Sequence, residues 1–285
     1  MGQKRPFSEM EGKDSKLASA SPFMPVFEIF KAELDEHHER RERTIKASRD
    51  ITAASKKIIF TLQRIRKIAQ PLPAHVEKEN TKHWDTIRTS LAAVSKDLQG
   101  INADRYARNI SGGCQEWMEA ASFQHYLVTG TLISLEEAAA QLRALDSEGP
   151  GVRLTHEDYL LGIYDMTGEL MRFAITAMAT SGALPVSGAP AAKGDDGGAK
   201  VAPTGDRNVL TDLRALRAVL ESLEVGAGGP FARDVEKKSD VMRASVEKVE
   251  KALYGLVVRG AERPKGWMPD LSAGGGGRGP VEVEG

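Results

Sequence analysis

Two short acidic pairs, each set among apolar residues, carry the chemistry that can be read from this sequence. In CQEWMEAASF, residues 114–123, Glu116 and Glu119 stand three apart. On a helix that spacing puts both carboxylates on one face, with Cβ atoms about 5–6 Å apart. In YLLGIYDMTGELMRF, residues 159–173, Asp165 and Glu169 stand four apart and again share a face. Both segments are apolar nearly all round, the pattern of a central helix. A carboxylate on such a helix needs a cationic partner, a metal ion or a proton. If the two helices face each other, four carboxylates converge. An all-oxygen set of that kind suits a hard ion, Mg²⁺ or Mn²⁺. The chemistry would be metal-assisted attack on a phosphodiester, with water activated and the developing charge stabilised. Spacing alone does not distinguish these acids, because Glu33/Glu36, Glu36/Glu39 and Glu247/Glu250 share it. The other reading places them at helix edges, paired with bases elsewhere in the chain.

Other chemistries find less support. A ferritin-like di-iron centre needs Glu-x-x-His, and the position three after Glu119 is Ser122. His125 reads as a packed, hydrogen-bonded histidine. Cys114 reads as a small buried apolar residue. No phosphate-binding loop, nucleophile elbow or zinc-ligand spacing is present.

The elements that must position the acids are helical. Phe27, Phe30, Leu34, Ile45, Ile51, Ile58, Leu62 and Ile65 recur at helical steps, and no proline interrupts 26–70. This predicts one first helix of about 40–45 residues, ended by Pro71 and Pro73. A second helix is expected over 75–99. A third is expected over 103–129, weakened or bent at Gly112 and Gly113. Ser134 with Glu137 forms a capping box for a short helix to about 145, and Thr155 with Asp158 opens another to about 180. Asp206 is the expected cap of a helix to about 225. A last helix is expected over 231–260. No strand pattern is seen, so the fold expected is an all-α, single-domain bundle of about seven helices. More than half of the 28 glycines fall in 182–205, 226–229 and 274–285. The expected organisation is a disordered N-terminal tail over 1–22, a helical domain over 23–270 with a disordered glycine-rich loop over 182–205, and a disordered tail over 271–285.

Composition narrows the class. The chain has 285 residues, one cysteine and a formal net charge of −1. A single cysteine excludes an internal disulfide framework and suits a reducing compartment. No apolar run has the length to span a bilayer and the N-terminus lacks an apolar signal core, so no membrane partner is expected and the cytoplasm is. Near-neutrality argues against a stand-alone nucleic-acid binder. Charge along the first helix is nonetheless polarised: 28–39 is acidic, whereas 40–67 carries ten bases against Glu42 and Asp50. Arg40, Arg43, Lys46, Arg49, Lys56 and Lys57 form a candidate phosphate-contacting stripe. The alternative is a solvated face, or an edge paired with acids of a neighbouring subunit.

The stretches SRDITAASKKIIFTLQRI, QEWMEAASFQHYLVTGTLIS, DYLLGIYDMTGELMR and YGLVVRGAERPK together resemble the translin family, over about residues 24–180 and 206–270. The likeness is to its catalytic branch, the partner of translin itself. The resemblance implies an all-α fold of seven helices within a barrel-like, octameric hetero-oligomer with translin, enclosing a cavity. It implies a Mg²⁺-dependent endoribonuclease on single-stranded RNA, acting in passenger-strand removal during RNA silencing and in trimming precursor-tRNA fragments. The family's acidic positions match Glu116, Glu119, Asp165 and Glu169. Direct metal contact is implied for Glu119 and Glu169, with Glu116 and Asp165 orienting the ion and water or acting as base. Animal members carry a basic bipartite nuclear-import segment near the N-terminus. Only Lys4 and Arg5 remain here, so the cytoplasm is the expected site and the nucleus a second one. The alternative function is a non-catalytic scaffold that stabilises translin and modulates its binding to RNA or DNA.

Overall fold

A computed structural model describes residues 22–146, 148–187, 207–226 and 228–259. Among them lie eight α-helices and no strand, the only β-type pairing being an isolated bridge between Val186 and Asn208. The helices are α1 (Met24–Leu62), α2 (Ala74–Ser95), α3 (Ile101–Arg105), α4 (Ala107–Thr129), α5 (Leu135–Ala144), α6 (His156–Ser181), α7 (Val209–Glu221) and α8 (Gly229–Arg259). A 3₁₀ turn, Lys96–Leu98, follows α2. The main packing runs α2 on α1, α1 on α4, α4 on α6 and α6 on α8, with α7 against α8. The two acid-bearing helices, α4 and α6, are therefore neighbours at the centre of the row. The expected tails and most of the glycine-rich loop lie outside the described residues, as does the Asp206 cap.

The first helix differs from expectation at both ends. It stops at Leu62, short of Pro71. Ile65 and Ile68 are buried from the irregular segment that follows, so an apolar period persists beyond the helix that it suggests. Ala69 takes a left-handed φ of 55°, and its N–H donates to Leu127 O at 2.9 Å. That tertiary bond turns the chain before the prolines are reached. At the other end, Phe27, Phe30 and Leu34 are exposed, and the buried face begins at Thr44. The first dozen residues of α1, about 18 Å of helix, project from the body, and contact resumes at His37.

The third expected helix is divided at Tyr106 and runs unbroken through Gly112 and Gly113. Tyr106 is buried, with its hydroxyl 2.5 Å from His37 Nδ1. His37 thus ties α1 to this break. Gly113 serves close approach. A Cβ there would meet the Cα and O of Ser48 at 3.0 Å, and the Gly113 N–H donates to Ser48 Oγ at 3.0 Å. Gly162 does the same between α4 and α6: a Cβ would stand 2.6 Å from Met118 Cβ and 3.0 Å from Gln115 O. The small residues at these crossings bring backbones together that larger ones would hold apart.

The helix caps are local and mostly as read. Ser134 and Glu137 form the capping box of α5. Thr155 Oγ1 accepts from the Asp158 N–H at 3.0 Å and opens α6. The cap of α7 is Asn208, whose Oδ1 accepts from Leu210 N–H and Thr211 N–H.

Candidate functional site

Because α4 lies against α6, the two sequence-local acid pairs become one cluster. Glu169 is buried, while Glu116, Glu119 and Asp165 are half-buried. All four are within electrostatic reach of one another. Burial first, then repulsion from Glu116, Asp165 and Glu169, pushes the Glu119 carboxyl up to about 8 from its ordinary 4.5. Glu116 is also raised, chiefly by burial. Four carboxyls gathered at the junction of two central helices cannot all ionise without cations.

The cations come mostly from helices other than those bearing the acids. Lys56 of α1 stands 3.8 Å from Glu116 Oε2. Lys238 of α8 contacts Asp165 Oδ2 directly and donates to Leu161 O at 3.5 Å. Gln63, just past the end of α1, donates through Nε2 to Glu169 Oε2 at 2.5 Å. Arg172 of α6 adds a contact to Glu169 at 3.3 Å. The early stop of α1 therefore has a consequence for the site, since Gln63 is the first residue past the helix. Arg172 is the only base within the two acid-bearing segments themselves. Gln63 and Lys238 are 106 and 73 residues from the acids they touch, and no local pattern announces such pairs.

Hard oxygen donors, excess negative charge and partial burial match the coordination chemistry of a hard divalent ion. In this arrangement, however, no three Asp, Glu, His or Cys side chains among the described residues are placed to hold a metal. Asp165 and Glu169 are turned to Lys238 and Gln63 instead. The donor chemistry suits a hard ion, and in this arrangement an ammonium and an amide stand on two of the carboxylates.

The basic stripe is distributed differently from its reading in sequence. Arg40 Nε donates to Asp97 Oδ1 at 3.1 Å, and Arg43 Nε donates to Asp97 Oδ2 at 3.0 Å. The paired guanidiniums hold Asp97 below the usual carboxylate range despite its partial burial. These two arginines thus fasten α1 to the turn after α2. Lys56 belongs to the acid cluster. Lys46, Arg49 and Lys57 are exposed.

The opposite face of α4 carries no acid. Trp117, Gln124 and His125, with Trp84 and Arg88 of α2, line a groove of about 580 Å³. His125 is hydrogen-bonded as expected, its Nε2 3.2 Å from Thr131 Oγ1, but it is half-buried on the groove wall rather than packed inside. Cys114 is fully buried, and burial pushes its thiol up, away from nucleophilic chemistry. No helix among the described residues is long and apolar enough to cross a membrane.

A central carboxylate cluster within a row of helices defines the class: an all-α protein with a polar, acid-rich centre shared by two neighbouring helices. The chain belongs to the translin family, whose model matches residues 39–260. It is 35% identical to mouse translin-associated protein X over 281 residues, covering 92% of this chain and 87% of that one. The translin-associated protein X homolog of Schizosaccharomyces pombe is 29% identical, over 83% of this chain and 89% of its own. Human translin is 24% identical, over 83% and 95% respectively. The crystal structure of apo-NeC3PO shares the fold, with a TM-score of 0.54 at 17% identity, covering 81% of this chain and 99% of that one.

Proposed function

We propose that this chain is the catalytic subunit of a metal-dependent endoribonuclease that cleaves single-stranded RNA within a hetero-oligomer with translin. The observation that carries the reading is the union of Glu116, Glu119, Asp165 and Glu169 into one mutually repelling cluster. Similarity to proteins named translin-associated protein X supports translin as the partner. Glu119 and Glu169 would hold Mg²⁺, or Mn²⁺ in its place, and Glu116 and Asp165 would orient water or take its proton. When bound, such an ion supplies a lowered water pKa and a positive charge beside the phosphate. The chain's own groups do the rest. Glu119 holds a proton near neutral pH and releases it once positive charge arrives. Gln63 fixes the Glu169 carboxylate, and Lys56, exposed at the edge of the cluster, offers an ammonium to an RNA phosphate. Passenger-strand and precursor-tRNA fragments are the substrates proposed in the cell.

A second reading has its own support. Asp165 and Glu169 already have protein partners, and no three acids among the described residues are placed to hold a metal. These are features of a scaffold subunit that stabilises translin and modulates its nucleic-acid binding. Glu119→Ala with Glu169→Ala, in a complex reconstituted with translin, separates the two. The proposal expects an assembled complex that no longer cuts single-stranded RNA in Mg²⁺. Retained cleavage by the assembled double variant would refute it.

A further inference from the structure

We propose that Lys238 is the resident counter-cation of the acid cluster and that a divalent ion must compete with it for Asp165; this rests on the metal reading above. Three observations lead there. First, Lys238 is the most sheltered ammonium at the cluster, its side chain 24% exposed against 65% for Lys56. Second, it touches Asp165 and is felt by both Glu116 and Glu119, so one amine serves acids on two helices. Third, it comes from α8, which packs on α6 and has no cluster acid of its own.

A single ammonium is a poor match for four carboxyls. One positive charge leaves the cluster under-neutralised. A divalent ion brings twice the charge, yet an ion held on Glu119 and Glu169 cannot draw the Asp165 carboxylate toward itself or its water while an ammonium sits on that carboxylate, without like-charge repulsion. Each cation therefore lowers the affinity of the cluster for the other. Among the described residues no three-acid ligand cage is formed, and Lys238 on Asp165 with Gln63 on Glu169 accounts for this. By reciprocity, ion binding loosens the polar tether between α8 and α6, and removing the tether tightens the ion.

The test uses the full chain assembled with translin. Calorimetric titration with Mn²⁺ or Mg²⁺ compares wild type, Lys238→Met and Lys238→Arg, each confirmed as folded by circular dichroism. Lys238→Met is expected to bind the ion at least about fivefold more tightly, within the usual range of coupling between sites. Lys238→Arg, which keeps the charge, is expected to bind far more weakly than the Met variant. Amide hydrogen exchange of the wild type is expected to rise around residue 238 when the ion binds. That measurement carries the test if Lys238→Met does not fold. Ion binding by the wild type with unchanged or weaker affinity in Lys238→Met overturns the inference and leaves the metal reading intact. Ion binding with no change of exchange in α8 also overturns it. No ion binding by wild type or variant overturns both together.

Discussion

Replacement of Glu119 by Gln is the sharpest probe of the cluster, because it removes the charge and nearly keeps the shape. The folded carboxyl titrates near 8, against an ordinary 4.5. Below pH 4.5 the group is protonated in folded and unfolded chains alike and the two states are affected equally. Between 4.5 and 8 the unfolded chain has lost the proton and the folded chain has kept it. The folded state then loses about 1.36 kcal/mol per pH unit. The full span corresponds to roughly 5 kcal/mol, reached above pH 8. Water at the open edge of the cluster screens part of this, so about 2–4 kcal/mol is expected. Urea unfolding of wild type and Glu119→Gln, at matched protein concentration and with a chelator present, measures the difference. The variant should gain relative stability steadily from pH 5 to pH 8 and level off above it. A difference that stays flat across that range would refute the picture of four mutually repelling carboxyls. Saturating Mg²⁺ should flatten the wild-type profile if the ion neutralises the same groups.

Three further outcomes follow from the packing. Gly162→Ala drives a methyl into Met118 Cβ and forces α6 from α4; a loss of about 1–3 kcal/mol in chemical denaturation is expected, together with a changed pH profile of the acids. Asp97→Ala leaves Arg40 and Arg43 without their shared partner; proteolysis of the projecting end of α1 should accelerate, whereas the acid cluster keeps its titration. Ser134→Ala removes one half of the α5 capping box and should cost about 1 kcal/mol, read as a lower unfolding midpoint.

Much of the fold was legible because helices declare themselves locally. Ser134 with Glu137 and Thr155 with its helix were read correctly, since a cap needs only residues a turn apart. The acids were legible for the same reason: i, i+3 and i, i+4 spacing on apolar helices is a short-range signal. The signal failed where a distant residue overrode it. The first helix ends at Leu62 because Ala69 bonds to Leu127 and Ile65 and Ile68 pack without helix. Gly113 looked like a weak point and is a contact point, because the reason for it is Ser48, 65 residues away.

The sequence by itself determined that this is a helical protein with two acid pairs on the faces of two central helices. Periodicity and spacing are properties of neighbouring residues, and they survive without knowledge of the fold. Only the tertiary structure decided that α4 and α6 pack directly together, making one cluster of the two pairs. It also decided which groups answer them. The ammoniums of Lys56 and Lys238 arrive from α1 and α8 and the neutral amide of Gln63 from the residue beyond α1, and pairing across such distances depends on packing that no local pattern encodes.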